Sequence, residues 1–285
     1  MVTSPTAAVV GQFARDLVLT VDRLPEAGSS RSATGRLEQL GGKGANQAVA
    51  LAQLGVRPAL VAVAGDDQIG DVLLDQARRD GVDVRAVVRR PGTLTSLIVE
   101  ILVAEEYRYV EDLLLLTEAD VLGAREAIEA ADAVLVQLQQ PVEAALAAAR
   151  IGYEAGRLVV LDGQITDRRL LALADVVRAD EKEAGGLDER TLDEGPSLIA
   201  IARPDGNLLI WSGGRVEVPL TGGDPVDTTG GGDSFVAGLT AALLSGASYE
   251  RPGGWRRPRR GPRSDTSAGG RTCTTSELAG WRKGP

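Results

Sequence analysis

The chain has 285 residues, of which 44% are apolar and 25% charged, and its formal net charge is −9, so it is expected to fold as a globular protein with a sizeable core. Histidine is absent and Cys273 is the only cysteine. These two facts exclude Ser-His-Asp and Cys-His catalysis, almost every catalytic zinc site, intrachain disulfides and protein-ligated iron–sulfur clusters. The chemistry must come from carboxylates, lysine, hydroxyls and backbone amides.

The distribution of apolar and charged residues indicates where the protein is located in the cell and whether it binds membranes or nucleic acids. No apolar run reaches about 18 residues, so no membrane-spanning segment is predicted. The N-terminus lacks the basic lead and long apolar stretch of a secretory signal, so we expect a cytoplasmic protein. The acidic balance of the main body argues against nucleic-acid binding by that part of the chain.

The composition changes near residue 250, which divides the chain into a folded domain and a tail. Residues 1–250 carry a net charge of −16, whereas residues 251–285 carry +7 and are rich in arginine, proline and glycine. Such a composition predicts no packed helix or strand. We favour a frameshift in the gene as its origin, because suitable GC-rich codons read one base off encode an alanine-rich helix. The alternative is a genuine basic tail that binds an anionic partner.

Apolar, β-branched runs alternate with helical patterns along the main body. Such an alternation predicts an α/β protein with a mainly parallel sheet covered on both faces. In chain order, strands are predicted at 2–11, 58–65, 95–103, 106–112, 132–138, 157–163, 175–180, 197–203 and 208–213, and helices at 44–55, 69–81, 119–131, 142–156, 168–174 and 234–245. The strands at 95–103 and 106–112 are expected to form a hairpin.

The segment from Val226 to Gly246, VDTTGGGDSFVAGLTAALLSG, is the strongest functional signal. Its three glycines, Gly230, Gly231 and Gly232, precede Asp233 and an apolar helix. Backbone amides at a glycine-rich helix start form a cradle for an anion, and a carboxylate beside them suits a base for the attacking hydroxyl in phosphoryl transfer. The structural alternative is that Asp233 only caps the helix and that the glycines only form a loop.

A second glycine-rich segment, QLGGKGANQAVALAQLG, runs from Gln39 to Gly55. Lys43, Asn46 and Gln47 follow its tight loop, and the ammonium of Lys43 and the amide of Asn46 are good partners for sugar hydroxyls. The segment matches neither a Walker A loop nor a clean G-x-G-x-x-G. A glycine-rich helix entrance with a solvated lysine is the structural alternative.

Together the two segments resemble the signatures of the PfkB/ribokinase family of carbohydrate kinases. GGKGANQA (41–48) is similar to the N-terminal signature, and DTTGGGDSF (227–235) is similar to the C-terminal one, with Gly231 in place of its alanine. The resemblance implies a ribokinase-like three-layer α/β/α sandwich with a mainly parallel central sheet. It also implies a small β-sheet lid built from roughly 12–40 and 93–112, which closes over the sugar and pairs two subunits as a homodimer.

The resemblance also implies roles for individual residues. Asp233 would be the catalytic base, and Gly230, Gly231 and Gly232 would form the anion hole for the ATP phosphate. The positions that would contact the sugar are Asp16, Gly42, Lys43, Asn46 and Gln139, the last in place of a family glutamate.

The cofactors implied are ATP, Mg²⁺ and a monovalent cation such as K⁺. Asp180 and Glu183 match the family motif linked to Mg²⁺, with aspartate in place of asparagine, and a solvated acidic loop is the alternative. Asp227 and Thr229 fall near the family's monovalent-cation site.

The predicted function is ATP-dependent phosphorylation of a sugar hydroxyl, the 5-hydroxyl of a pentose such as ribose. Because residues beyond Gly246 do not resemble the family's adenine wall, a sugar-binding protein without turnover is the alternative. A nucleoside or a sugar phosphate is also a conceivable substrate on this scaffold. A dinucleotide-binding oxidoreductase is disfavoured, since the first strand is followed by GQFARD and not by G-x-G-x-x-G.

Overall fold

A computed structural model describes residues 4–104, 106–219 and 230–247. The predictions for Asp227, Thr229 and the 251–285 tail lie outside the described residues. Of the helices that are described, none is long and apolar enough to cross a membrane.

The described residues form thirteen strands and six α-helices. The strands are β1 (Thr6–Val10), β2 (Ala14–Thr20), β3 (Gly35–Gly41), β4 (Arg57–Gly65), β5 (Val87–Arg90), β6 (Leu97–Val103), β7 (Glu106–Asp112), β8 (Ala133–Gln137), β9 (Leu158–Asp162), β10 (Val176–Asp180), β11 (Leu198–Arg203), β12 (Gly206–Trp211) and β13 (Gly214–Pro219). The helices are α1 (Lys43–Gln53), α2 (Gln68–Arg79), α3 (Glu118–Gly123), α4 (Arg125–Ala130), α5 (Val142–Glu154) and α6 (Gly231–Leu244).

The larger sheet has nine strands in the order β13-β12-β11-β10-β9-β8-β1-β4-β5. The strands from β11 to β5 are mutually parallel, and β12 and β13 extend the sheet antiparallel. β8 and β9, AVLVQ and LVVLD, are buried along their whole length, because helices cover both faces of the sheet.

Two apolar clusters separate the sheet from its two helical layers. Val9, Leu135 and Val160 pack with α1, α2 and α6 on one face. Val10 and Val136, the next residues along β1 and β8, pack with α3, α4 and α5 on the other face. This alternation gives three layers and confirms the predicted α/β/α sandwich with a mainly parallel central sheet.

The smaller sheet has four strands in the order β3-β2-β6-β7. β6 and β7 form the predicted antiparallel hairpin, β2 pairs with β6 in parallel, and β3 pairs antiparallel with β2. Asp16, Ile98 and Glu100 are buried, whereas β7 is mostly exposed.

Two predicted helices differ from the observed elements. The helix predicted at 119–131 is two short helices that meet at Ala124, directly after Gly123, a residue of low helix propensity. Residues 168–173 form a 3-10 helix instead of an α-helix; it begins at the Asp167 cap and ends where Ala174 becomes extended. Its hydrogen bonds span three residues, from Leu170 N–H to the Asp167 carbonyl and from Ala174 N–H to the Leu171 carbonyl, as in a 3-10 helix.

Candidate active site

Four residues form a row at the carboxyl ends of adjacent strands. Gln137 of β8 is in register with Asp162 of β9, which is in register with Arg178 of β10. Gly11 follows β1, and a Cβ placed on it would lie 3.0 Å from the Cβ of Gln137. By the strand alternation, all four face the layer that contains α1 and α6. The carboxyl ends of parallel strands are where open α/β sheets bind ligands.

Helix α1 begins directly against this row. A Cβ on Gly44 would lie 2.7 Å from the carbonyl carbon of Gly11, so only glycine permits this approach of helix and strand. Gly42 has a φ of 85°, a value that favours glycine, and Ala45 N–H donates to the Gln12 carbonyl at 2.9 Å. The GGKG loop therefore places the first turn of α1 at the end of β1.

The first turn of helix α6 packs against the same row of residues and against α1. Gly230 is left-handed, with a φ of 73°, and the first helical bond runs from Ser234 N–H to the Gly230 carbonyl. Asp233 lies inside the first turn, so the alternative that it caps the helix is wrong. Its carboxylate is directed at α1 instead.

The Asp233 carboxylate is buried and held at both oxygens by α1. Asn46 Nδ2 donates to Oδ2 at 3.2 Å, and Gln47 Nε2 donates to Oδ1 at 3.1 Å. Burial raises the pKa of the Asp233 carboxyl to about 6, with a further contribution from the negative charge of Asp162. The hydrogen bonds from Gln47 and Asn46 and the charge of Lys43 lower that pKa.

Gln47 links Asp233 to a buried ion pair in the strand row. The same Nε2 donates to Asp162 Oδ2 at 2.7 Å, and Arg178 Nη1 donates to Asp162 Oδ1 at 2.9 Å. Both members of the ion pair are almost fully buried. A Cβ on Gly232 would lie 2.5 Å from Nη2 of Arg178, so the guanidinium packs against the first turn of α6.

The acidic loop after β10 also reaches the start of α1. Glu183 Oε1 lies 3.8 Å from Nζ of Lys43. Asp180 Oδ1 accepts from the amides of Lys182 and Glu183 at 2.8 Å, and Glu183 Oε2 accepts from Asp180 N–H at 3.0 Å. The loop is therefore ordered by its own carboxylates, although no group of three or more acidic ligands occurs among the described residues.

Two predicted sugar-contacting residues lie beside the glycine loop. Asp16 of β2 is buried, and a Cβ on Gly41 would fall 1.8 Å from its carboxylate carbon, so the carboxylate occupies the space that glycine leaves open. Gln139 is exposed, and its Oε1 accepts from Gln12 Nε2 at 3.4 Å. Among the described contacts, Gln139 is therefore hydrogen-bonded to Gln12 and not to Asp233, Asn46 or Gln47.

The sequence motifs give no role to Gln47, Asp162 or Arg178. A signal was present for the last two, since Asp162 ends the otherwise apolar strand LVVLD and Arg178 lies in the middle of the short strand VVRAD, where an apolar residue is expected. Their mutual contact depends on strand register and could not be read from spacing.

Comparison with known proteins shows to which protein family this chain belongs. The family model described as "pfkB family carbohydrate kinase" matches residues 4–252. A ribokinase of Bacillus subtilis is 32% identical over 259 residues, covering 85% of this chain and 87% of the relative. An ATP-dependent ribose-1-phosphate kinase of Halopiger xanaduensis is 33% identical over 251 residues, covering 83% and 84%.

Solved structures show the same fold. A ribokinase from Thermotoga maritima superposes with a TM-score of 0.75 at 24% identity, over 85% of this chain and 86% of that one. A ribokinase from Arabidopsis thaliana, complexed with ribose and ATP, gives 0.72 at 24% identity over 87% and 88%. The comparisons lend no support to a sugar-binding protein without turnover. The chain belongs to the pfkB family of carbohydrate kinases and is an ATP-dependent sugar kinase.

Proposed function

We propose that the chain phosphorylates the 5-hydroxyl of a pentose such as ribose, with Asp233 as the base. The observation that carries this proposal is a buried carboxylate whose pKa is raised to about 6, inside the first turn of a glycine-led helix. A carboxyl with that pKa is largely ionised near neutral pH and is a better proton acceptor than an exposed aspartate.

The start of α6 provides both the base and the anion site. Because the first helical bond uses Ser234 N–H, the amides of Gly231, Gly232 and Asp233 have no partner within the helix. Three such amides at a helix N-terminus attract a phosphoryl oxygen. The hydroxyl proton passes to a carboxylate oxygen of Asp233 while these amides hold the transferring group.

The sugar would bind between this carboxylate and the glycine loop. Asp16, Gly42, Lys43, Asn46 and Gln139 are the proposed contacts, as carboxylate, backbone, ammonium and amide groups suited to hydroxyls. The ribose and ATP of the Arabidopsis structure support a pentose, while the Halopiger relative is named for a phosphorylated one. Lys43 lies close enough to Glu183 to be oriented by it.

Asp180 and Glu183 are proposed to hold Mg²⁺ through water. Their carboxylates suit a hard cation that keeps most of its water and binds ATP phosphates, and two carboxylates suffice for such a site. The ion would neutralise phosphate charge near the start of α1. A monovalent cation at Asp227 and Thr229 remains a proposal on residues outside those described.

The smaller sheet is proposed to close over the sugar as a lid and to pair with a second copy of the chain. Leu17, Val99 and Val110 are cross-strand neighbours on the face opposite buried Asp16 and Ile98. Val110 is 65% exposed. A row of apolar side chains on this face is suited to burial against its own copy.

Replacement of Asp233 by Asn tests the base. The variant should lose about 10²- to 10⁴-fold in kcat, because an amide cannot accept the hydroxyl proton. ADP release from MgATP is measured with D-ribose, ribose 1-phosphate, other sugars and nucleosides. D-ribose should give the highest wild-type kcat/KM. Near-wild-type turnover by the variant would contradict the role of Asp233, and exclusive turnover of ribose 1-phosphate would contradict the substrate.

The pH dependence should reflect the raised pKa of Asp233. Only the ionised carboxylate accepts a proton, so log kcat/KM should fall with unit slope as pH drops below about 6. Steady-state kinetics between pH 4.5 and 8 at constant ionic strength measure this. A flat profile down to about pH 4.5, near the ordinary range for aspartate, would contradict the assignment.

Two neighbouring glycines provide a matched pair of variants. A Cβ on Gly232 would collide with the Arg178 guanidinium, whereas one on Gly231 meets nothing within 4 Å among the described residues. Gly232→Ala should therefore shift the first turn of α6 and lower kcat by about tenfold or more. Gly231→Ala keeps the backbone amide proposed for the anion site and restores the alanine of the family signature, so its activity should stay within about twofold of wild type. Equal effects in the two variants would contradict the packing of Arg178 against α6.

Sedimentation velocity tests the dimer. Wild type should sediment as a dimer at micromolar concentration, and Val110→Lys should shift it to monomer by placing a charge in the buried row. Leu122→Lys, an exposed leucine on α3, is the control and should stay dimeric. A monomeric wild-type protein would contradict the proposal.

A further inference from the structure

A closed circuit of contacts runs beneath the Asp233 carboxylate. Arg178 bonds Asp162, Asp162 accepts from Gln47, and Gln47 donates to Asp233. The Arg178 guanidinium then returns to α6 by packing on Gly232, the residue before Asp233. The circuit therefore joins α1, β9, β10 and α6 at one point.

The orientation of the Gln47 amide is determined by its surroundings. An amide nitrogen carries two hydrogens, and here each is directed at a carboxylate oxygen, one on Asp162 and one on Asp233. Rotating the amide by half a turn would place its oxygen against two negative charges. Gln47 is also completely buried, so the side chain has no solvent-facing alternative.

Asp162 can fill this role only because Arg178 compensates its charge. Two carboxylates that bind the same nitrogen repel each other, and a buried carboxylate without a counterion is costly. Arg178 supplies the counter-charge from the next strand, and its side chain is 8% exposed. Lys43 on α1 also acts on Asp233, because its positive charge lowers the pKa of that carboxyl, and Lys43 is itself close to Glu183.

We propose that the buried Asp162–Arg178 ion pair is a positioning element for phosphoryl transfer, which orients the Asp233 carboxylate through Gln47 and the first turn of α6 through Gly232. This inference rests on the proposed role of Asp233 as the base. Neither Asp162 nor Arg178 is a catalytic residue in it. The pair acts on the transfer step and not on sugar affinity.

Charge variants of the pair test this with effects of opposite sign. Asp162→Asn removes the negative charge that repels the Asp233 carboxylate. The fall of kcat/KM at low pH, its acid limb, should therefore move about one pH unit lower. Arg178→Met leaves Asp162 uncompensated, so the limb should move to higher pH. Both variants should lower kcat by about tenfold, since the carboxylate loses its alignment, with the KM for the sugar within about threefold.

The double variant Asp162→Asn/Arg178→Met guards against unfolding. It removes both charges together, which proteins tolerate better than an unpaired buried charge. The acid limb of the double variant should lie between those of the single variants. If Arg178→Met fails to fold, the double variant and Asp162→Asn together test whether the ion pair positions Asp233. Asp120→Asn is the control, because it breaks the Arg90–Asp120 ion pair elsewhere and should change thermal stability but neither kcat nor the limb.

A lower melting temperature, with kcat and the acid limb unchanged in Asp162→Asn and in the double variant, would overturn the proposal and make the pair purely structural. That result is distinguishable from failure of the base assignment. If Asp233→Asn is inactive while the pair variants behave as wild type, only the positioning role is lost. If Asp233→Asn is active, the base assignment fails and the positioning proposal fails with it.

Discussion

The candidate active site depends on one interaction, in which two buried carboxylates accept hydrogen bonds from the same amide nitrogen. Asp162 and Asp233 both accept from Nε2 of Gln47, at 2.7 and 3.1 Å. Burial of Asp233, followed by repulsion from Asp162, raises the pKa of Asp233 to about 6. One buried arginine prevents the arrangement from carrying two uncompensated negative charges. A carboxyl with this raised pKa could not be built on an exposed loop, where water would return the pKa to its ordinary value.

The layered fold explains how these groups meet. Parallel strands end at one edge of the sheet, so Gln137, Asp162 and Arg178 lie side by side although they are distant in sequence. Helices α1 and α6 then approach this edge through glycines. Gly44 permits contact with the end of β1, and Gly232 permits contact with Arg178. These two glycines therefore serve the close packing of the helices against the sheet.

The sequence predicts the body of the fold well because its strands are apolar runs and its helices are amphipathic or small-residue segments of ordinary length. Asp233 and the glycines before it stand out in the sequence because a glycine-rich helix start followed by a carboxylate is a local pattern, and their roles as base and anion site stay predictions. Gln47 and the Asp162–Arg178 pair have no such signature, since their roles come from strand register and from the contact of two helices. Short elements such as β5 and the 3-10 helix at 168–173 are set by tertiary contacts, which periodicity does not reveal.

The most direct measurement is the titration of the Asp233 carboxyl itself. Carbon-13 NMR of protein labelled at aspartate side-chain carboxyls, compared between wild type and Asp233→Asn, isolates its resonance. One aspartate signal should titrate near pH 6 in the wild type and be missing from the variant. An Asp233 signal that titrates near 4, as an unperturbed aspartate does, would contradict the account of a buried base beside Asp162.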